Sequence, residues 1–250
     1  MAKTFEALMK AEQEREKRGK LSSVIRPEPF SNSRRPPKLE ASSQISNEFQ
    51  QIRQNICLID PEGKVKCLLF SCPTQGEGNS TILINFAVTL ASGGEKVLIV
   101  DSNLRSPSFH HVFGLERENG LTELILGEKS LSSVKKETQF PNLSVITSGK
   151  NHSNPSSLFE FKALDIHIGE MKTEMDWVIF DSPPINSFND SITLASKVDG
   201  VIMVVKAETT RAEVAQKAKQ RMQASNARIL GVVLNKRQFH IPDWLYKRLW

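Results

Sequence analysis

One strand–turn–helix segment limits the folds open to this chain more than any other feature. It reads as an apolar strand at 64–70, a turn that carries Gly76 and Gly78, and an apolar helix that begins close to Ser80. A glycine-rich turn at the start of a helix directs backbone N–H groups toward a common centre, where the helix dipole favours an anion. The segment therefore predicts a phosphate-binding loop at 71–81.

The loop lacks the cation that its pattern normally supplies. The pattern G-x-x-x-x-G-K-[ST] places a lysine directly before the serine or threonine, and Asn79 stands at that position. Ser80 follows at the position that ligates Mg²⁺ in such loops. The segment predicts a nucleotide site without its main positive charge, and a tight turn without a ligand is the alternative interpretation.

Strands and helices alternate along the rest of the chain. The predicted strands cover 96–101, 143–147, 177–181, 200–205 and 228–234, and the predicted helices cover 43–57, 79–92, 121–126, 157–173, 190–196 and 211–224. Strands of nearly continuous Val, Ile and Leu that are separated by helices imply a parallel sheet covered on both faces. We therefore predict an α/β fold, a doubly wound, mostly parallel sheet with helices on both faces.

Two carboxylates follow the ends of predicted strands. In such sheets ligands bind at the carboxyl ends of the strands, so the loop, Asp101 and Asp181 are expected to meet in one crevice. Asp101 is expected to hold Mg²⁺ through water, with a strand-end cap as the alternative, and Asp181 to bind or orient the metal's water. The order of the three segments predicts a P-loop NTPase fold of the deviant-Walker type.

Composition divides the chain into three parts. We predict an N-terminal helical arm at 1–19, a flexible basic linker rich in Ser, Pro and Arg at 20–42, and the main domain at 43–250. The net charge of +5 is diffuse, and no basic-aromatic platform for nucleic acid is visible. We therefore expect no nucleic-acid partner. Because the three cysteines fit no zinc or redox pattern and no long apolar run occurs, we expect a cytoplasmic protein.

Three motifs occur together. They are Pro73-Thr-Gln-Gly-Glu-Gly-Asn-Ser-Thr81, Asp101-Ser-Asn-Leu-Arg-Ser-Pro107 and the hydrophobic-Asp-x-Pro-Pro motif that ends at Pro184. With Leu230-Gly-Val-Val-Leu-Asn235, they resemble the bacterial tyrosine autokinases (BY-kinases) of capsule and exopolysaccharide synthesis over nearly the whole chain. The resemblance implies a kinase-like domain that uses ATP or ADP with Mg²⁺.

The resemblance also assigns roles to single residues and to partners. The implied nucleotide contacts are Gly76, Glu77, Gly78, Asn79, Ser80, Thr81, Arg105 and Asn235, and the implied metal ligands are Ser80, Asp101 and Asp181. Asp101 and Asp181 are the expected catalytic carboxylates. The implied partner is the cytoplasmic tail of a membrane polysaccharide co-polymerase, which would place the protein peripherally at the inner face of the plasma membrane, with self-association as a further expectation.

The departures from the family pattern all weaken catalysis or assembly. Asn79 replaces the lysine that reaches the phosphates, and Asn103 replaces the second carboxylate of the Asp-x-Asp pair. Tyr246 is the single tyrosine where the family has a cluster, and only Arg53 is left of the ring-assembly motif Glu-x-x-Arg-x-x-Arg. We interpret the chain as a catalytically impaired relative, a pseudokinase that acts as a regulatory or scaffold subunit with weak or no ATP use.

Two other functions stay open at the level of sequence. The first is an active tyrosine autokinase or ATPase that recruits a substitute cation, such as Arg105 or a residue of a second subunit. The second is a ParA/MinD-like positioning ATPase, although the position of that group's additional lysine is occupied by Thr74. Whether the chain is an enzyme is therefore undecided by its sequence.

Overall fold

The computed structural model of the protein describes residues 43–236. The predicted arm at 1–19, the linker at 20–42 and Tyr246 lie outside these residues. None of the helices between residues 43 and 236 is long and apolar enough to cross a membrane.

Seven strands of the described region form one sheet. They are β1 (Cys67–Ser71), β2 (Val97–Asp101), β3 (Lys136–Glu137), β4 (Leu143–Ile146), β5 (Trp177–Asp181), β6 (Gly200–Lys206) and β7 (Ile229–Asn235). Their order across the sheet is β3-β4-β2-β5-β1-β6-β7, and every neighbouring pair is parallel except β3 with β4. The predicted mostly parallel sheet is confirmed.

Helices cover both faces of this sheet. They are α1 (Ser43–Ile59), α2 (Asn79–Ser92), α3 (Phe109–Phe113), α4 (Leu121–Ile125), α5 (Leu131–Val134), α6 (Pro155–Leu158), α7 (Lys162–Glu174), α8 (Asp190–Ala195) and α9 (Ala212–Ala224). Residues of α1, α2 and α3 share one apolar cluster with the sheet, and residues of α4 to α9 share the other. This arrangement confirms the doubly wound architecture.

The central strand β1 shows why the loop that follows it is held in place. All five of its residues are buried, and it lies between β5 and β6. Its side chains alternate between the two clusters, with Leu69 in one and Leu68 and Phe70 in the other. A strand that is covered on both faces needs apolar residues at every position. Because this buried strand is held from both sides, it fixes the start of the loop that follows it.

The structure differs from the predicted elements in two respects. The predicted helix at 157–173 is divided into α6 and α7, because the backbone of Phe161 is extended with φ −66 and ψ 133. The elements α3, α5 and β3 were not predicted, since two to five residues are too few to show a helical or strand period.

Candidate nucleotide site

The carboxyl ends of three adjacent strands bring the predicted carboxylates and the loop together. Asp101 ends β2 and Asp181 ends β5, and the two residues are register partners in neighbouring strands. The loop leaves β1 on the other side of β5 and leads into α2, which begins with Asn79 and Ser80. The loop and the two carboxylates therefore meet at one edge of the sheet, as the order of the segments predicted.

Two glycines give the loop its backbone path. Gly76 and Gly78 have φ values of 86° and 90°, a region that L-residues rarely occupy. A Cβ atom at Gly78 would also lie 2.2 Å from Nδ2 of Asn235. Nδ2 of Asn235, at the end of β7, donates a 2.7 Å hydrogen bond to the carbonyl oxygen of Glu77. Gly78 thus allows β7 to approach and support the loop.

The side chain of Asn79 is committed to the strand ends. It is 6% exposed, and its Nδ2 donates to the carbonyl oxygen of Phe70 at 3.0 Å and to Oδ1 of Asp181 at 2.7 Å. A side-chain amide has two N–H donors, so neither is left for a phosphate. Oδ1 of Asn79 is buried without a hydrogen-bond partner among the described residues.

The second oxygen of Asp181 is held by the next residue of the loop. Oγ of Ser80 donates to Oδ2 of Asp181 at 2.6 Å. Burial, followed by the nearby carboxyl of Asp101, raises the pKa of Asp181 to about 8, although the hydrogen bonds from Ser80 and Asn79 oppose that rise. Two groups of the loop therefore hold Asp181, and they orient both of its oxygens.

The two carboxyl oxygens of Asp101 have different surroundings. Oδ2 accepts the backbone N–H groups of Ser108 at 2.9 Å and Phe109 at 3.0 Å, which caps the start of α3. Oδ1 is buried and has no partner within residues 43–236. Burial raises the pKa of Asp101 to about 6. The two roles considered from the sequence are thus compatible, since Oδ2 caps the helix and Oδ1 stays available for the water of a metal.

The carboxylate of Glu77 connects the loop to the turn between β6 and α9. It is 2% exposed and accepts hydrogen bonds from Oγ1 of Thr74 at 2.6 Å and from Oγ1 of Thr210 at 2.7 and 2.8 Å. The backbone N–H of Lys206 donates to it as well. The side chain of Glu77, a nucleotide contact implied by the resemblance, joins two structural segments.

Arg105 lies in an ion pair away from the loop. Its guanidinium donates to Asp190 at 2.8 and 3.3 Å and to Oγ of Ser156 at 2.9 Å. It also lies 4.3 Å from the ring centroid of Phe188. These contacts occupy the guanidinium of Arg105, which was considered from the sequence as a substitute for the missing lysine.

Asn103 and Thr81 make local contacts within the part of the chain that the structure describes. Oδ1 of Asn103 accepts the backbone N–H of Ser106 at 3.3 Å and so closes a turn. Thr81 is exposed on α2, and its carbonyl oxygen accepts Nδ2 of Asn85. The structure therefore groups Asn79, Ser80 and Asp181 closely, and it leaves Asn103 and Arg105 outside that hydrogen-bonded group.

Known proteins resemble the chain over most of its length. A family model described as an AAA domain matches residues 67–228. Tyrosine-protein kinase YwqD of Bacillus subtilis (strain 168) is 34% identical over 196 residues, 78% of this chain and 83% of that protein. Tyrosine-protein kinase CpsD of Streptococcus agalactiae is 32% identical over 200 residues, 80% of this chain and 86% of that protein. The chain belongs to the bacterial tyrosine-kinase (BY-kinase) family.

Solved structures agree with this family. The crystal structure of the chimerical protein CapA2B2 aligns with a TM-score of 0.76 at 33% identity, over 80% of this chain and 88% of that one. The cell division ATPase MinD of Pyrococcus furiosus aligns with a TM-score of 0.59 at 22% identity, over 74% of this chain and 78% of that one. At that identity the likeness to MinD shows the shared fold alone.

P-loop proteins generally bind a nucleotide with Mg²⁺, and the donor set of this BY-kinase family member fits the metal. Oγ of Ser80, the carboxylate of Asp181 and the unpartnered Oδ1 of Asp101 are hard oxygen groups at one edge of the sheet. The loop backbone at Gly76 and Gly78 also has the shape of an anion cradle. The side chain of Asn79 is the exception, because it offers a phosphate neither charge nor a free donor.

Several long-range contacts of the site had no signal in the sequence. Thr210 and the backbone of Lys206 hold Glu77 across more than 125 residues of chain, which no local pattern predicts. Asp190 stands at the start of a predicted helix, but its pairing with Arg105, 85 residues away, is likewise a tertiary contact. The hydrogen bonds of Asn79 also depend on tertiary structure alone.

Proposed function

We propose that this BY-kinase family protein is a catalytically impaired regulatory or scaffold subunit of capsule or exopolysaccharide synthesis, with weak or no use of ATP. The observation that carries the proposal is the side chain of Asn79. Its two amide donors are spent on Phe70 and Asp181, inside a loop that otherwise has the shape of a phosphate site.

The energetic argument starts from the missing charge. A hydrogen bond from a charged donor contributes about 1.5–3 kcal/mol, which corresponds to roughly a 10- to 100-fold loss of nucleotide affinity. The transition state should lose more, because a transferring phosphoryl group relies on fixed positive charge for stabilisation. Bound Mg²⁺, held by Ser80, Asp101 and Asp181, would supply only part of that stabilisation.

The second weakness is the lack of a base beside the metal site. Asn103 stands where the family pattern has a carboxylate, and its amide oxygen closes a local turn. An amide does not take up the proton of a substrate hydroxyl as a carboxylate would. Restoring the lysine alone should therefore restore nucleotide affinity more than phosphoryl transfer.

The proposed partner is the cytoplasmic tail of a membrane polysaccharide co-polymerase, which would hold the protein at the inner face of the plasma membrane. Family resemblance and the likeness to the chimerical protein CapA2B2 support this partner. Arg53, the residue that matches the ring-assembly motif, forms an ion pair with Glu95 at 2.5 Å in its own chain. Self-association remains a further part of the proposal.

Calorimetric titration of Mg-ATP and Mg-ADP into the wild type and Asn79→Lys tests the proposal. We expect Asn79→Lys to bind both nucleotides about 10- to 100-fold more tightly. The matched control is Asn85→Lys, which adds the same charge to the same helix outside the loop. Equal affinities of the wild type and Asn79→Lys would mean that the loop is not shaped for phosphate, and the proposal would then be wrong.

A further inference from the structure

The outermost parallel strand, β7, exposes two large apolar side chains. Val232 is 51% exposed and Leu234 is 59% exposed. Their register partners in the neighbouring strand β6 are Met203 and Val205, which point to the same face of the sheet and are 4% and 7% exposed. The described helices on this face therefore bury β6 and leave β7 open.

The two exposed side chains lie on one face of the strand. Val233, which stands between them, packs against the cluster that α1, α2 and α3 share with the sheet. Because successive side chains of a strand alternate between faces, Val232 and Leu234 point to the opposite face, the one on which α9 packs. Together they form a continuous apolar strip beside α9, which we call the β7 strip.

The backbone edge of β7 is open as well. Within residues 43–236, β7 pairs with β6 and with no other strand. An apolar edge strand of this kind is a template for unwanted association with other chains, and proteins protect such edges by covering them with a helix or a loop. The strip and the edge therefore call for a cover that residues 43–236 do not supply.

The chain leaves β7 in a direction that suits such a cover. Lys236, the residue that follows the strand, has a φ of 56°, in the left-handed region that interrupts an extended run. Residues 237–250 come next, and seven of these fourteen residues are Phe, Ile, Trp, Leu or Tyr. Val232 lies about 10 Å before the end of the strand, at roughly 3.3 Å per residue, so a few residues of returning chain reach the whole strip.

We propose that residues 237–250 of the same chain fold back over the β7 strip and cover Val232 and Leu234. The segment is joined to β7 through Lys236, so its docking is intramolecular and takes place at a high effective concentration. A second copy of the chain or a separate partner has to bind from solution and lacks this advantage. The turn at Lys236 and the apolar content of the segment favour the same occupant.

The docked segment gives the single tyrosine of the chain a structural role. Tyr246 lies within residues 237–250, next to Leu245. An acceptor tyrosine has to reach the metal site, whereas a tyrosine that packs over the β7 strip contributes its ring to the cover. This inference goes beyond the proposed function, and it does not require that the loop binds a nucleotide.

Tryptophan fluorescence of the full chain tests the proposal. The segment carries Trp244 and Trp250, and the third tryptophan, Trp177, is buried in the core and is the same in every variant. Val232→Thr combined with Leu234→Thr makes the strip polar and keeps residues that favour a strand. We expect this strip variant to shift the emission to longer wavelength, to increase quenching by acrylamide and to lower the melting temperature by roughly 2–4 °C.

A control and a second variant make the test specific. Ile166→Gln, on α7, replaces another apolar side chain, one that is 63% exposed, and should leave emission and quenching unchanged. Leu245→Gln combined with Leu249→Gln changes the segment instead of the strip. If the two surfaces touch, the strip variant and the segment variant together should lower the melting temperature by less than the sum of their separate effects.

Four results would overturn the proposal. The first is a strip variant with the emission and quenching of the wild type, and the second is a fully additive loss of melting temperature. The third is quenching that rises on dilution together with a fall in molar mass by light scattering, which would assign the strip to a second copy. The fourth is protection of the tryptophans that develops only with anionic phospholipid vesicles, which would assign the segment to a membrane surface. A cooperative thermal transition shows that each variant is folded.

Discussion

The buried carboxyls of single residues make the stability of the site depend on pH. The pKa of Asp181 is raised from 3.8 to about 8, so the folded protein binds a proton that the unfolded chain releases between these values. The free energy of unfolding should therefore fall as the pH rises from about 4 to about 8. Asp101, with a pKa of about 6, adds to the lower part of the same window.

Urea denaturation at about pH 5 and about pH 8 measures this dependence. Asp181→Asn removes the titrating group, and we expect it to reduce the loss of unfolding free energy between the two pH values. Glu128→Gln, a change at an exposed carboxyl, should retain the loss seen in the wild type. If Asp181→Asn lost as much unfolding free energy between the two pH values as the wild type, another group would be responsible for the pH dependence.

A second residue-level prediction concerns Glu77. Its carboxylate accepts three donors from two segments, and Glu77→Gln would replace one of its acceptor oxygens with a donor. We expect a loss of about 1–3 kcal/mol in the free energy of unfolding, because a buried donor is left without a partner. Chemical denaturation measures it, and Glu128→Gln is again the control. A loss equal to that of the control would mean that Glu77 does not join the loop to the turn.

The elements around the site show what a local pattern can and cannot predict. The strands β1, β2 and β5 were predicted because buried parallel strands are apolar at every position, and their order placed Asp101 and Asp181 correctly at strand ends. The helix at 157–173 was predicted as continuous, because no glycine or proline near Phe161 indicates the extended backbone that divides it. The donors to Glu77 come from distant elements, and only the folded structure reveals them.

The packing of β7 against the loop gives a prediction at the level of elements. Gly78→Ala would force a strained φ and would also place Cβ 2.2 Å from Nδ2 of Asn235. Gly127 has a comparable φ of 73°, and nothing lies within 4 Å of a Cβ placed there. Gly127→Ala therefore measures the cost of the strained backbone alone. We expect Gly127→Ala to cost about 1–2 kcal/mol of unfolding free energy and Gly78→Ala roughly 1–3 kcal/mol more. Equal losses in chemical denaturation would show that β7 does not press on the loop.

The whole molecule combines the family fold with Asn79 and Asn103 at two positions where the family pattern has a lysine and a carboxylate. The sheet places the loop, Asp101 and Asp181 together, and the resemblance to YwqD and CpsD extends over most of the chain. The sequence predicted this framework because the framework depends on apolar periodicity and strand order. The use of the Asn79 donors could not be predicted, since it depends on contacts with the ends of two strands.

The turnover of the wild-type chain tests the central claim most directly. Purified protein is incubated with Mg-ATP, and the formation of ADP and of phosphotyrosine is followed, with YwqD of Bacillus subtilis as the positive control. The account predicts that ATP binds weakly and that phosphoryl transfer is far slower than the rates of about 1–100 s⁻¹ typical of kinases. Autophosphorylation of the wild type at the rate of the control would contradict it.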